Sequence, residues 1–412
     1  MNGLATLESI RARFPALERE HAGVPVAYFD GPGGTQVPGS VADAVSSYLL
    51  RHNANTHWGF PTSAETDRIV ASGRDAAADL LGGDDREIVF GPNMTTLTFQ
   101  LARALGRQFA PGTEIVVTQL DHRANVDPWV DMANMWNFEL RTVPFRPSDG
   151  TLDWDVFESV VGERTGLIAI GGASNALGTV NDIHRAASLA KRAGSLLFVD
   201  AVHSVPHLPT DVTALGCDAL ACSPYKFYGP HAGVLWVRRS LLESLHVSKL
   251  LPASDDAPER LETGTLSHEA IAGLTAAIDF LAGLDDGPGD RRARILRVMA
   301  ALHDRGDSLV QRLWNGLTAV EGVRTFGPAP GAAERTPTVS FIVDGVSSGE
   351  VSRRLADEFG VFCSYGDFYA TDVAVRLGVE DEGLVRAGCA CYTTETEIDR
   401  LVRGVEQIAA AR

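Results

Sequence analysis

Lys226 follows the apolar run Ala219–Ser223, inside the stretch Pro-Tyr-Lys-Phe-Tyr-Gly-Pro-His. A lysine amine so placed can form an imine with an aldehyde. Asp200 closes a second apolar run, Ser195–Asp200. A carboxylate there can keep a pyridine nitrogen protonated and make its ring an electron sink. His122 comes shortly after Glu114–Thr118, and a flat imidazole can stack on such a ring. The turn Asn93-Met94-Thr95-Thr96 follows the strand-like Glu87–Phe90 and opens a helical stretch, where free backbone N–H groups can cradle a phosphate. Gly166–Gly171 leads into Gly-Ala-Ser-Asn and brings Asn175 to the same edge. Amine, carboxylate, flat ring and phosphate cradle are the four groups that pyridoxal phosphate (PLP) requires. Singly each is commonplace: a lysine after a strand is usually a solvated charge, an aspartate there is often a helix cap, and a single histidine is usually a satisfied polar group. Their joint order is the signal, and spacing alone does not name the cofactor.

The elements that must position these groups alternate along the chain. Strands are expected at Glu114–Thr118, Leu140–Pro144, Gly166–Gly171, Ser195–Asp200, Ala219–Ser223 and Gly233–Val237, with helical stretches such as His184–Ala193 between them. Several of these runs are almost wholly apolar, as strands covered on both faces must be. The alternation predicts an α/β layered domain with a mostly parallel sheet. Ligands in such sheets bind beyond the carboxyl ends of the strands, which is where the reactive side chains fall. From Ser267 long helical patterns run to about Leu317, broken by Gly-Pro-Gly within Leu284–Asp290. A strand at Thr338–Val343, a helix at Ser348–Phe359, a strand near Val361–Ser364 and a final helix at Thr394–Ala410 follow, with a loop over Gly327–Thr336. These read as a smaller α+β domain.

With 412 residues the chain is too long for one small core. Its net charge of -17 argues against general nucleic-acid binding, which needs a basic face for phosphates. The five cysteines, Cys217, Cys222, Cys363, Cys389 and Cys391, form no CxxC pair and no regular framework, so neither a zinc ribbon nor a disulfide scaffold is expected. No metal site is expected. No apolar run nears the roughly 20 residues that span a bilayer, and the N-terminal stretch lacks a signal peptide's apolar core. The expectation is a cytoplasmic protein with no membrane partner.

The segments YFDGPGGTQVP (28–38), NANTHWGFPTS (53–63), LDHRANVDPW (120–129), ASNALGTVNDI (173–183), FVDAVHSVPH (198–207), CSPYKFYGPHAGVLWV (222–237), ETGTLSHEAIAGL (262–274) and VRAGCACYTTETEIDRLV (385–402) resemble the class V aminotransferase superfamily. The likeness is to its cysteine-desulfurase-like branch and covers the chain nearly end to end in family order. It implies PLP-dependent transferase fold type I: a large domain with a mostly parallel seven-stranded sheet, plus a smaller α+β domain. The expected division is residues 1–25 joining the small domain, 26–285 as the large domain and 286–412 as the small one. By the same resemblance Lys226 is the Schiff-base lysine, Asp200 the partner of the pyridine nitrogen, and His122 the stacked imidazole, able also to relay protons. Asn175 and His203 fall where the ring hydroxyl is bonded, His203 replacing a glutamine common in the desulfurases. Met94, Thr95 and Ser223 match phosphate-binding positions. Gly264 and Thr265 match a turn supplied by the other subunit, which implies a homodimer with shared sites. Arg386 matches the arginine that clamps the substrate carboxylate, with Asn175, Gly33 and Tyr369 beside the substrate.

One departure bears on activity. Desulfurases carry a nucleophilic cysteine on the loop before that arginine. Here the loop reads CSYGDFYATD (363–372), and Tyr369 falls about where the cysteine belongs. Cys363 lies earlier and is expected to be a buried structural thiol. Tyr225, Ser364, Asp367 and Phe368 also differ from the desulfurases or line the expected substrate side. The leading expectation is therefore a C–S lyase that eliminates a thiol or sulfide from cysteine or a cysteine conjugate. A cysteine desulfurase, aminotransferase, epimerase or decarboxylating oxidative deaminase is the alternative on the same fold. A non-catalytic accessory subunit is disfavoured, because a degenerate fold has no need of Lys226, Asp200, His122 and Arg386 together.

Overall fold

The computed structural model describes residues 4–21 and 23–411. Seven strands form the central sheet: β1 (Ile88–Gly91), β2 (Glu114–Thr118), β3 (Glu139–Val143), β4 (Thr165–Gly171), β5 (Leu196–Asp200), β6 (Ala219–Cys222) and β7 (Gly233–Val237). Their order is β1-β7-β6-β5-β4-β2-β3. Strands β6, β5, β4, β2 and β3 run parallel, and β7 is antiparallel to both of its neighbours.

Successive residues of these strands enter different cores. Val116, Ile168, Ile170, Leu197, Val199 and Leu220 pack on one face, with the helices Pro61–Leu81, Ile183–Ala193 and His268–Ala282. Ile115, Val117, Leu167, Ala169, Phe198 and Ala221 pack on the other, with Met94–Gly106 and Asp127–Trp136. Burial on both sides is why these strands read as unbroken apolar runs instead of alternating ones. The edge strand β3 is the exception. Its Glu139 and Arg141 are exposed or nearly so, and they join Glu114 and Arg164 in a network of ion pairs. Charge along an open edge discourages pairing with another sheet.

A second, antiparallel sheet holds β8 (Val323–Phe326), β9 (Thr338–Val343), β10 (Ser364–Gly366) and β11 (Leu384–Gly388) in the order β8-β9-β11-β10. The helices Arg291–Thr318, Ser348–Phe359 and Glu395–Ala410 cover its core. Thr394 caps the last of these in a capping box with Glu397. The strand expected near Val361–Ser364 is two pieces. Val361–Phe362 pairs in parallel with Ala27–Tyr28, and after Cys363 the chain steps across to pair Ser364 with Arg386. Two different partners on either side of one residue break what a pattern of side chains reads as continuous. Ala27 and Phe29 accordingly share the core of this smaller sheet.

The carboxyl edge of the central sheet is built so that three ends coincide. Asp200 is registered against Gly171 on one side and Ala221 on the other. The chain beyond β4 carries Asn175, and the turn Pro224–Lys226 beyond β6 carries the lysine. Beside them β7 begins at Gly233, where a Cβ would lie 2.4 Å from the backbone carbon of Asn93. That close approach sets the start of the helix Met94–Gly106 against the sheet. Gly233→Ala is expected to lower stability by about 1–3 kcal/mol through overpacking and to weaken cofactor retention. Thermal unfolding, read with and without added PLP, checks both effects.

Candidate active site

A cavity of about 740 Å3 opens where the carboxyl ends of β2, β4, β5 and β6 meet β10, β11 and the loop after β10. Its wall contains Lys226, Asp200, His122, Asn175, His203, Met94, Thr95, Gly33, Tyr369 and Arg386. Ser223 is buried and does not line the cavity. Gly264 and Thr265 are exposed and lie outside it.

Lys226 is held through its amine, which donates to the carbonyls of Pro32 and Gly33 (2.8 Å to Gly33). Its pKa is pushed down from 10.5 to about 8, chiefly by burial and then by the Arg386 charge, against the opposing pull of Asp30 and Asp200. Asp200 accepts the backbone N–H of Val202 at 2.9 Å. Burial raises its carboxyl to about 6, while that N–H and Lys226 hold it back. Asp121 lies alongside, accepting from Gly171 N (2.8 Å) and Asn125 Nδ2 (3.0 Å). Burial and then the Asp200 charge raise it to about 8.

The Nδ1 of His122 accepts the N–H of Ala124 at 2.9 Å. Burial, then the Lys226 and Arg386 charges, push its pKa down to about 4. At neutral pH the ring is therefore uncharged, with its proton on Nε2. His203 is also buried and held neutral, and its Nε2 lies 3.0 Å from Thr336 Oγ1 and 3.2 Å from Thr338 Oγ1. One nitrogen of this ring is committed to the smaller sheet.

Arg386, on β11, is 4% exposed. It donates to Asn175 O (3.0 Å) and Ser364 Oγ (3.2 Å), pairs with Asp30 at 3.6 Å, and lies under the Phe368 ring at 4.0 Å. Burial lowers its pKa to about 10, so it stays cationic at pH 7. Phe368 and Tyr369 both adopt left-handed backbone, with φ of 58° and 55°. For residues with a Cβ this costs roughly 1 kcal/mol or more each. The strain is offset by Asn175 Nδ2 donating to Phe368 O (3.0 Å), Arg123 N donating to Tyr369 O (2.7 Å), and Asp367 accepting from Tyr369 N (3.0 Å).

An orphaned polar atom of the cavity wall tests whether the residues fit PLP. Asn175 Oδ1 is buried and has no hydrogen-bond partner among the described residues. A buried polar atom left unpaired is costly, and a ring hydroxyl is a partner of the right kind. The first turn of Met94–Gly106 offers free N–H groups beside Thr95, with Asn93 capping Thr96 N at 2.8 Å. Amine, carboxylate, ring, cradle and carboxylate clamp thus share one cavity, and the residues fit the group.

Residues 27–401 match the family described as aminotransferase class-V. The chain belongs to that family and is a PLP-dependent enzyme of fold type I. A probable cysteine desulfurase of Streptomyces coelicolor is 33% identical, with 98% of each chain covered. A cysteine desulfurase of Pectobacterium atrosepticum is 32% identical over 98% of each. The apo cysteine desulfurase of Thermococcus onnurineus superposes with a TM-score of 0.89 at 26% identity, covering 100% of both chains. An Escherichia coli cysteine desulfurase in its S-sulfonic acid form gives 0.84 at 26% identity, over 98% of this chain and 99% of that one.

The sequence reading passed over Asp30, Asp121 and Arg123 as site residues. All three line the cavity. All three stand inside segments quoted for the resemblance, which is the available signal, but the contact that fastens Arg123 to the loop runs through its backbone N–H, which no side-chain pattern marks. No helix among the described residues is long and apolar enough to cross a membrane.

Cofactor uptake requires the neutral amine of Lys226. Its rate should rise about tenfold per pH unit below pH 8 and level off above, instead of climbing towards the ordinary lysine value of 10.5. Growth of the visible band after PLP is added to apoprotein at stepped pH measures it. A rate still climbing well above pH 8 would contradict the lowered value.

Proposed function

We propose that this enzyme breaks the Cβ–S bond of cysteine or a cysteine conjugate by β-elimination and releases a thiol or sulfide. The observation that carries the reading is that no cysteine lines the cavity among the described residues, in a chain whose relatives are named cysteine desulfurases. Bound PLP supplies an electron sink that weakens bonds at the amino-acid α-carbon.

The chain's own residues divide the remaining work. Lys226 would hold the cofactor covalently and, as a free amine, would take the α-proton; an amine with a pKa near 8 is well matched to that task. Asp200 would keep the ring nitrogen protonated, Asn175 and the other nitrogen of His203 would serve the ring hydroxyl, Met94, Thr95 and Ser223 would serve the phosphate, and His122, neutral and flat, would stack on the ring. Arg386 would fix the substrate carboxylate, and Asn175, Gly33 and Tyr369 would bound the substrate. The α-proton would pass to Lys226 and from it to the sulfur, which departs with the electron pair of the Cβ–S bond while the pair of the Cα–H bond forms the Cα=Cβ bond. Water converts the released three-carbon fragment to pyruvate and ammonia.

The names of the relatives favour a second reading, in which Cys363 accepts sulfur as a persulfide. That thiol packs against the smaller core, and burial holds its pKa well above the ordinary value. We also propose a homodimer, in which Gly264 and Thr265 complete the partner's site.

Pyruvate should appear with thiol or sulfide in equal amounts from cysteine or S-alkyl-cysteines. Lys226→Ala should abolish it, and Cys363→Ala should retain at least about half of it, since a side chain away from the reacting atoms affects catalysis little. No pyruvate from any of these substrates would overturn the elimination, and sulfide release lost in Cys363→Ala would establish the persulfide route. Light scattering of the purified holoenzyme should give twice the chain mass, and a monomer would refute the shared site.

A further inference from the structure

Three aromatic side chains of β10 and the loop that follows it, Tyr365, Phe368 and Tyr369, line the cavity. The Tyr369 ring lies 5.4 Å from that of His122, with their planes 35° apart. Phe368 is stacked on Arg386, so the aromatic wall begins at the carboxylate clamp and runs to the mouth. The charges along that wall are mostly acidic. Asp127 and Asp367 line it with Arg123, whose guanidinium is engaged by both Asp127 and Asp372.

We infer that this loop forms a subsite for an uncharged aromatic or apolar substituent on the β-sulfur, and that it excludes an anionic one. The inference rests on the reading of the site as acting on an amino acid held by Arg386. Phe368 stacks on that clamp, so the loop adjoins whatever carboxylate Arg386 holds. An aromatic group on the β-sulfur gains contact with Tyr369 and Tyr365. An acidic group meets Asp127 and Asp367, and Arg123 beside them is already engaged by two carboxylates.

Arg123 fastens the loop at two points. Its backbone N–H donates to Tyr369 O at 2.7 Å, and its guanidinium reaches Asp372, in the helix Thr371–Leu377 that follows, at 3.1 Å. The fastening holds Tyr369 in its left-handed conformation against the cavity.

The test uses the PLP-loaded enzyme and reads binding from the shift of the visible cofactor band, which reports occupancy whether or not turnover follows. The probes are S-benzyl-cysteine, S-carboxymethyl-cysteine and alanine, which has no substituent. S-benzyl-cysteine should bind at least about tenfold more tightly than S-carboxymethyl-cysteine. Tyr365→Ala should reduce that ratio by about fivefold, at the scale of one aromatic contact, with alanine binding changed less than about twofold, and Tyr369→Ala should reduce the ratio by at least as much. A carboxymethyl compound bound as tightly as the benzyl one, or a ratio unmoved in both variants, would overturn the subsite. The preference with no pyruvate formed would sink the elimination and leave the subsite standing.

Discussion

Desolvation at the carboxyl edge of the sheet governs the rest of the site. Lys226, Arg386, Asp200 and Asp121 are all withdrawn from water, and each moves towards its neutral form. Burying an isolated charge is prohibitive, so these groups persist by facing one another. Asp30 stands against Arg386, and Asp200 acts on Lys226. The same burial makes the site reactive. A lysine amine at 10.5 would be almost wholly protonated at neutral pH, whereas one near 8 supplies a useful neutral fraction. A charged cofactor would meet a cavity already arranged for charge, in which Asn175 holds an unpaired oxygen.

That arrangement depends on the two sheets keeping their relation. Arg386 sits on the smaller sheet yet donates to Asn175 O beyond β4. His203 follows β5 yet shares its Nε2 with Thr336 and Thr338. Arg386 and His203 are thus bonded across the same seam in opposite directions. A shift of one sheet would disturb both contacts together.

The central sheet was readable because burial on two faces forces nearly every residue of a strand to be apolar. Val116 and Val117 answer to different cores, and neither can be polar. The final helix was readable from Thr394 and Glu397, which cap locally. The stretch around Cys363 was not, because its break comes from two partners distant in sequence, Ala27–Tyr28 and β11. The cavity followed the same division. Lys226, Asp200 and Asn175 fall at strand ends, a position the pattern itself marks. Arg123 and the threonines on His203 are defined by contacts between remote segments, which no spacing reveals.

The loop after β10 carries Phe368 and Tyr369 and no cysteine. A nucleophile that must reach the substrate and then pass its cargo onward benefits from a mobile loop. Here two consecutive left-handed residues are held by Asn175, Arg123 and Asp367. Strain of that kind persists only where the surroundings over-determine it, and a loop so fastened is suited to shaping a wall. Tyr369 is also 70% exposed, so its ring can meet a substituent entering from the mouth while its backbone stays tied. A fixed loop without a thiol supports the proposed elimination, in which sulfur departs as a small-molecule thiol or sulfide and not as a persulfide on the loop.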